Sequence, residues 1–300
     1  ISDCLVGSEM CIRDSHKAEL KLHRFLDQAI DGKKVLSDKN INKICKDIKE
    51  ALHRQFGSNN SRKEFRLRMS NVGKPTCQLW FEKNKPEEAL PFPNNFVMNM
   101  MLGDIVESVF KGLLRQAGVA FEDSKKVSME LAIDSKIEGT YDIVMDDAVD
   151  DIKSASDWSY RNKFDSFESL SKEDPFGYVG QLAGYAHASN KRAGGWWVVN
   201  KSNGSFKYVP AEGLDLEKEV DKLADNVSIV QSNEFEKCFD AVEETFRGKP
   251  TGNKILGTTC SFCRFKHSCW TNLQELPSLV SQAKEPKIVS YVEIRKEKLI

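Results

Sequence analysis

The chain has 300 residues, 40% hydrophobic and 30% charged, which suits one large domain or two modest ones with a real buried core. No run approaches the roughly 18 apolar residues of a membrane-spanning helix. The 44 Lys and Arg nearly cancel the 45 Asp and Glu, which excludes a histone-like binder acting through bulk positive charge.

Residues 1–15, ISDCLVGSEMCIRDS, have neither the basic n-region nor the apolar core of a signal peptide. They read as adapter-derived sequence, and Cys4 and Cys11 are set aside with them. Residues 16–60 then read as a basic helical arm. Leu20, Leu22, Phe25, Leu26 and Ile30 recur near the helical period, and Ile41, Ile44, Ile48 and Leu52 repeat the pattern after a break at Gly32-Lys33-Lys34. Charge is uneven here: residues 17–74 carry 15 Lys and Arg against 7 Asp and Glu, a net of +8. The polar run 57–61 marks a hinge.

Beyond a proline-rich loop at 84–93, a helix is predicted from about Asn94 to Gln116, stopped by Gly118. Three strands follow, 126–133, 139–145 and 149–154, joined by turns at Asp134-Ser135 and Asp146-Asp147 as an antiparallel meander. Residues 157–175 read as a loop or short helix over the sheet. A helix over 175–190 comes next, then strands 195–200 and 205–210 joined at Asn203-Gly204, with Trp196-Trp197 in a buried strand. Two helices, near 214–231 and 234–247, precede a cysteine-rich region.

The stretch 142–151 holds five Asp and no cation. Side chains alternate along a strand, so Asp151 and Lys153 share a face, and Asp142 meets them across the hairpin. Such carboxylates hold Mg²⁺ or Mn²⁺ through hard oxygen ligands, with the Ile152 carbonyl as a further donor. The metal acidifies a water and a lysine steers or deprotonates it, the arrangement for phosphodiester cleavage. Asp150 faces the other way and is the weaker candidate. Surface charge on a hairpin is the competing explanation.

Two further motifs flank this pattern. Gly103-x-x-x-Glu107 lies on the preceding helix, and Gln181-x-x-x-Tyr185 places two polar groups one turn apart on the following one. In order, Glu107, Asp142, Asp151-x-Lys153 and Gln181-x-x-x-Tyr185 resemble the PD-(D/E)XK nuclease superfamily, in its RecB-like branch. Asp151 stands where many members have Glu. The resemblance covers about residues 65–275 and implies an α/β, restriction-endonuclease-like core of a mixed sheet flanked by helices. A helical N-terminal arm and a C-terminal cysteine-rich staple complete the expected fold. It assigns Glu107, Asp142 and Asp151 to the metal, Lys153 to the water, and Gln181 and Tyr185 to the DNA backbone.

Cysteines supply the second signature. Cys260-x2-Cys263-x5-Cys269 gives three thiols, and Cys77 is the best candidate for a fourth, in a Gly- and Pro-containing stretch that suits a ligand loop. One distant Cys followed by C-x2-C-x5-C is similar to the iron–sulfur subset of RecB-like nucleases, which includes CRISPR-associated and phage-type exonucleases. The resemblance implies a [4Fe–4S] cluster tying the two ends of the core together. Zn²⁺ takes the same ligands, with His267 an alternative donor. Cys45 and Cys238 read as ordinary buried thiols.

Arg62, Lys63, Arg66, Arg68 and Lys74 precede Cys77, while Trp158, Tyr160, Arg161, Lys163 and Phe164 follow the acidic strand. Cations contact phosphates and aromatics stack on bases of a single strand; Arg264 and Lys266 are of the same kind. The expected division is an arm at 16–60, a nuclease domain with its staple at 61–275 and a tail at 276–300. The expected activity is a metal-dependent DNA exonuclease acting on single strands or ends in the cytoplasm, away from membranes. A DNA-end-binding module without catalysis and a zinc-stabilised interaction protein are the alternatives.

Overall fold

The computed structural model describes residues 16–57, 64–131 and 135–295. The adapter-like start with Cys4 and Cys11, together with Arg62, Lys63 and Asp134, lies outside the described residues. The fold is mixed α/β.

Helices α1 (Lys17–Ile30), α2 (Asp38–Phe56), α3 (Thr76–Asn84) and α4 (Asn95–Gln116) come first. Strands β1 (Lys125–Glu130), β2 (Lys136–Tyr141), β3 (Ile143–Met145) and β4 (Ala148–Ala155) follow. Then come α5 (Phe167–Lys172), α6 (Tyr178–Ser189), β5 (Arg192–Asn200), β6 (Phe206–Pro210) and α7 (Leu216–Ser232). The C-terminal part holds β7 (Val242–Phe246), β8 (Lys249–Ile255), one-turn helices α8 (Thr258–Ser261) and α9 (Lys266–Cys269), β9 (Gln274–Pro277) and β10 (Ile288–Glu293).

The central sheet runs in the order β3-β4-β5-β6. Strands β4 and β5 are parallel, which requires a crossover, and α5 and α6 supply it. The β3–β4 hairpin turns on Asp146 and Asp147, whose φ values of 47° and 59° suit the two-residue turn that matches strand twist. Both faces of the sheet are covered. Ile143, Ile152 and Trp197 point into a core with Leu22 and Phe25 of α1 and Phe110 and Leu114 of α4. On the other face Val144, Val149, Trp196 and Val198 pack with Leu182 and Tyr185 of α6 and Leu223 and Val227 of α7. Trp196 and Trp197 are buried on opposite faces, as their adjacency in a strand dictates.

Two expectations fail. The strand expected over 139–145 is broken at Asp142: β2 pairs with β1 as a separate two-stranded sheet, and β3 joins the central sheet. Asp142 turns its carboxylate onto the Ile152 amide at 2.7 Å at this break. The helix expected over 234–247 is absent. Asn233, at φ 64°, stops α7, and Val242–Phe246 pairs with β8 as a strand, turned at Arg247 and Gly248. Strand β10, at Ile288–Glu293, is hydrogen-bonded between β8 and β9 in that second sheet.

One backbone contact positions the site. Gly177 precedes α6 with φ 72°, and a Cβ there would lie 2.5 Å from the Gly73 carbonyl carbon. Only glycine permits both the left-handed angle and the approach. The segment leading to Cys77 is thereby pinned against the start of the helix that carries Gln181 and Tyr185.

Candidate active site and cysteine cavity

Pairing of Ile143 with Asp150 sets Asp142 opposite Asp151 across the hairpin. Parity along β4 then sends Asp151 and Lys153 to the α6 face and Asp150 to the α1 face. The Lys153 Nζ lies 2.6 Å from Asp151 Oδ2 and 3.4 Å from Gln181 Oε1. Gln181 Nε2 donates to the Tyr185 hydroxyl at 3.2 Å. From α4, Glu107 lies close enough to feel the charge of Asp142. Asp151, Lys153, Gln181 and Tyr185 are therefore joined by direct contacts, with Asp142 opposite Asp151 on the hairpin and Glu107 near enough to Asp142 to feel its charge.

The electrostatics follow from crowding acids in a place with little water. Burial and the Asp151 charge push Asp142 up to about 7, against the pull of Lys153 and Lys111. Burial raises Glu107 as well, with Asp142 adding to it. Burial alone would lower Lys153, but Asp151 and Asp142 outweigh it and hold the ammonium above its usual range. Burial pushes Tyr185 up to about 12, so its hydroxyl stays protonated. Asp151 Oδ2 is buried and ion-paired with Lys153 without an aligned hydrogen bond.

Two participants escape sequence reading. Lys111 is buried, 2.5 Å from Glu107 Oε1 and 2.6 Å from the Ser124 hydroxyl, which in turn donates to the Asp142 carbonyl at 3.2 Å. Its signal was the i, i+4 spacing from Glu107. Tyr178 has Lys153 Nζ 5.0 Å and Lys163 Nζ 4.8 Å from its ring centre, a double cation–π contact. Asp150 accepts from Tyr208 at 2.9 Å and Trp197 at 3.3 Å, on the opposite face from Lys153.

The expected phosphate contacts divide. Arg66, Arg68 and Trp158 are exposed, whereas Arg161 is drawn to Asp157 at 3.0 Å. Tyr160 lies under Lys207, 4.6 Å from its ring centre. Lys163 sits 3.8 Å from Asp174 with its side chain mostly buried, and Lys74 pairs with Glu82 at 3.1 Å. Arg264 stacks on Phe92 and donates to the Leu90 carbonyl, and Lys266 pairs with Glu275 at 2.6 Å.

Cys77, Cys260, Cys263 and Cys269 line one small cavity with Phe81 and Trp270. Cys77 occupies the first turn of α3, not a loop. The aromatic stack of Phe81 on Phe265 and the bond from the Leu90 amide to the Arg264 carbonyl hold segments 81–90 and 264–265 together here. Burial pushes Cys260 up to about 11 and raises Cys263 and Cys269. The expectation of buried Cys45 and Cys238 is not met, since both are exposed. Cys238 accepts from the Cys77 amide at 3.1 Å. Its position beside Cys77 depends on the loop after α7, where a helix was expected. Among the described residues no three His, Cys, Asp or Glu are already gathered as a metal group.

No protein-family model matches the chain, and no curated protein matches it. A solved structure described as "Crystal structure of SSO0001" is similar at a TM-score of 0.40 and 14% identity, over 77% of this chain and 96% of that one. A likeness this shallow decides neither fold family nor function. Among the described residues no helix is long and apolar enough to cross a membrane.

The ion pair generates a stability prediction. Replacing Lys153 by Met leaves Asp151 and Asp142 buried without their nearest cation. Urea unfolding in EDTA at neutral pH is expected to show a loss of roughly 3 kcal/mol. A loss below about 0.5 kcal/mol, the size of an ordinary surface change, would contradict the pairing.

Proposed function

We propose that the chain is a metal-dependent deoxyribonuclease of the PD-(D/E)XK type, acting on single strands or ends of DNA. The observation that carries this reading is the gathering of Glu107, Asp142, Asp151, Lys153, Gln181 and Tyr185 from one hairpin and two helices, with Lys153 in direct contact with Asp151 and Gln181, and Gln181 with Tyr185. Its donors are hard carboxylate oxygens gathered in a buried place, which suits Mg²⁺ or Mn²⁺. Glu107, Asp142 and Asp151 would hold that ion, with the Ile152 carbonyl beside them. When bound it would supply Lewis-acid activation of the phosphodiester and acidify water.

The chain's own groups do the remainder. Lys153 neutralises the carboxylates while the site is being folded and then offsets charge growing on the phosphoryl oxygens. Its ammonium is held charged by Asp151 and Asp142, so it acts first as an electrostatic partner and hydrogen-bond donor. Gln181 fixes the lysine by its Oε1 and is itself fixed by Tyr185, which leaves little rotamer freedom to lose on binding. Lys111 orients Glu107 from behind.

The four thiols around the second cavity suit either a [4Fe–4S] cluster or Zn²⁺ by their donor chemistry. The group bound there would tie the C-terminal sheet to α3 and, through the Gly73–Gly177 contact, to the helix of Gln181.

Two measurements test these readings. Labelled DNA incubated with Mg²⁺ or Mn²⁺ is expected to be degraded, EDTA to stop it, and Asp151→Asn to slow it by about 10²-fold or more with its circular dichroism retained. DNA bound yet left uncut with either metal would favour an end-binding module instead. Anaerobic purification is expected to give about four irons per chain or one zinc, and Cys263→Ala to lose that metal. Full metal content in Cys263→Ala would remove this cysteine from the ligand set.

A further inference from the structure

A further thiol stands beside those that line the cysteine cavity. Cys238 is not part of the lining, although its neighbour Phe239 is. Its sulfur accepts from the Cys77 amide at 3.1 Å and lies 3.3 Å from the Thr76 hydroxyl. Those groups open α3, whose N-cap residue, Pro75, makes no side-chain cap bond. A cysteine from far along the chain therefore satisfies a donor that helix starts usually give to a local Ser, Thr or Asp. The two thiols also interact directly, side chain to side chain. The segment that carries Cys238 is anchored at several points. Trp80 Nε1 donates to the Asn233 carbonyl at 2.9 Å, Phe235 packs on Trp80 and Phe81, and Lys237 Nζ lies 3.8 Å from the centre of the Trp270 ring.

We propose that Cys77 and Cys238 form an oxidation site, a thiol pair that closes to a disulfide when no metal holds Cys77. Cys238 is exposed and Cys77 half-buried, so a small oxidant such as a peroxide meets Cys238 first. The Cys238 sulfur attacks one peroxide oxygen and the O–O bond breaks, which leaves a sulfenic acid on Cys238 and releases water. The Cys77 sulfur then attacks the Cys238 sulfur. The S–O bond breaks, the hydroxyl leaves as water with the Cys77 proton, and the S–S bond forms. In sum, one peroxide takes up the electrons and protons of both thiols and becomes water. Contact within the pair matters, because a sulfenic acid with a thiol beside it is resolved before it is oxidised further. Cys260 and Cys263 are closer in sequence, but neither is exposed. Cys77 is shared, since it lines the cavity and also touches Cys238. A Cys77 thiolate engaged by a metal is not free to resolve Cys238, so metal binding and closure of the pair exclude each other. That competition rests on the metal reading of the cavity thiols; the pair itself does not.

The test uses the full chain, stripped of metal under reducing conditions and then freed of reductant. It is treated with stoichiometric hydrogen peroxide, alkylated with N-ethylmaleimide, digested without reduction and read by mass spectrometry. The expected result is a linked peptide joining Cys77 to Cys238, with the loss of that pair of alkylatable thiols and their recovery in dithiothreitol. Cys45, an exposed thiol on α2, is the control and is expected to remain unlinked. Cys238→Ser is expected to abolish the link while keeping the fold, because a serine oxygen also accepts from a helix-start amide. Chain reloaded with Zn²⁺ before peroxide is expected to lose the link, and the closed chain to take up no Zn²⁺ until it is reduced. Absence of the Cys77–Cys238 peptide, or a Cys260–Cys263 link in its place, would overturn the proposal. Equal linkage with and without bound Zn²⁺ would overturn the claim that metal and disulfide exclude each other. A link formed in a chain that takes up neither zinc nor iron would sink the metal reading and leave the pair standing. Metal uptake with no link in the stripped chain would do the reverse.

Discussion

Two carboxylates held face to face across a buried hairpin, with one lysine between them and the next helix, set the conditions for the rest of this molecule. Asp142 and Asp151 repel each other where water does little to screen them, and Lys153 is the cation that makes the arrangement tolerable. A buried assembly of this kind is poor value as a stabilising device, because apolar side chains of similar volume serve as well or better. Its persistence at the centre of the main sheet, with Gln181, Tyr185 and Tyr178 packed around the lysine, is therefore more readily understood as function than as structure.

The fold supplies the precision that such a site needs. Strand β4 lies in the interior of the sheet, paired on both sides, so the directions of Asp151 and Lys153 are fixed by the pleat. The parallel crossover returns α6 over the same face, and the Gly73–Gly177 contact fixes where that helix begins. Asp142 sits at the break between β2 and β3, freed from one ladder to bond the Ile152 amide. Sites built on strands and helices lose less on binding than sites carried by loops.

Much of this was legible in the sequence where periodicity alone decides. Parity along 149–154 separates Asp150 from Asp151 and Lys153, and the i, i+4 spacing on α6 aligns Gln181 with Tyr185. The helix at Asn95–Gln116 and the buried Trp196-Trp197 strand follow from their apolar patterns. What local pattern misses is partnership across the chain. Residues 242–246 carry a sequence compatible with a helix until β8 offers a ladder. Cys238 meets Cys77 across a sequence separation of 161, and Tyr178 reaches Lys153 only because the crossover brings it there. Lys163 and Lys74, expected to face phosphates, also have Asp174 and Glu82 as ion partners, pairings that charge counting along the chain has no means of foreseeing.

The claim on which everything functional turns is that the paired carboxylates exist to hold a divalent metal. Titration calorimetry with Mn²⁺ on the purified full chain addresses it without substrate or assay conditions intervening. The account predicts saturable binding by the wild type and a loss of about tenfold or more in affinity for Asp142→Asn, which keeps the shape and the hydrogen bond to Ile152 but removes the charge. Equal affinity in the two proteins, or no binding in either, would contradict it.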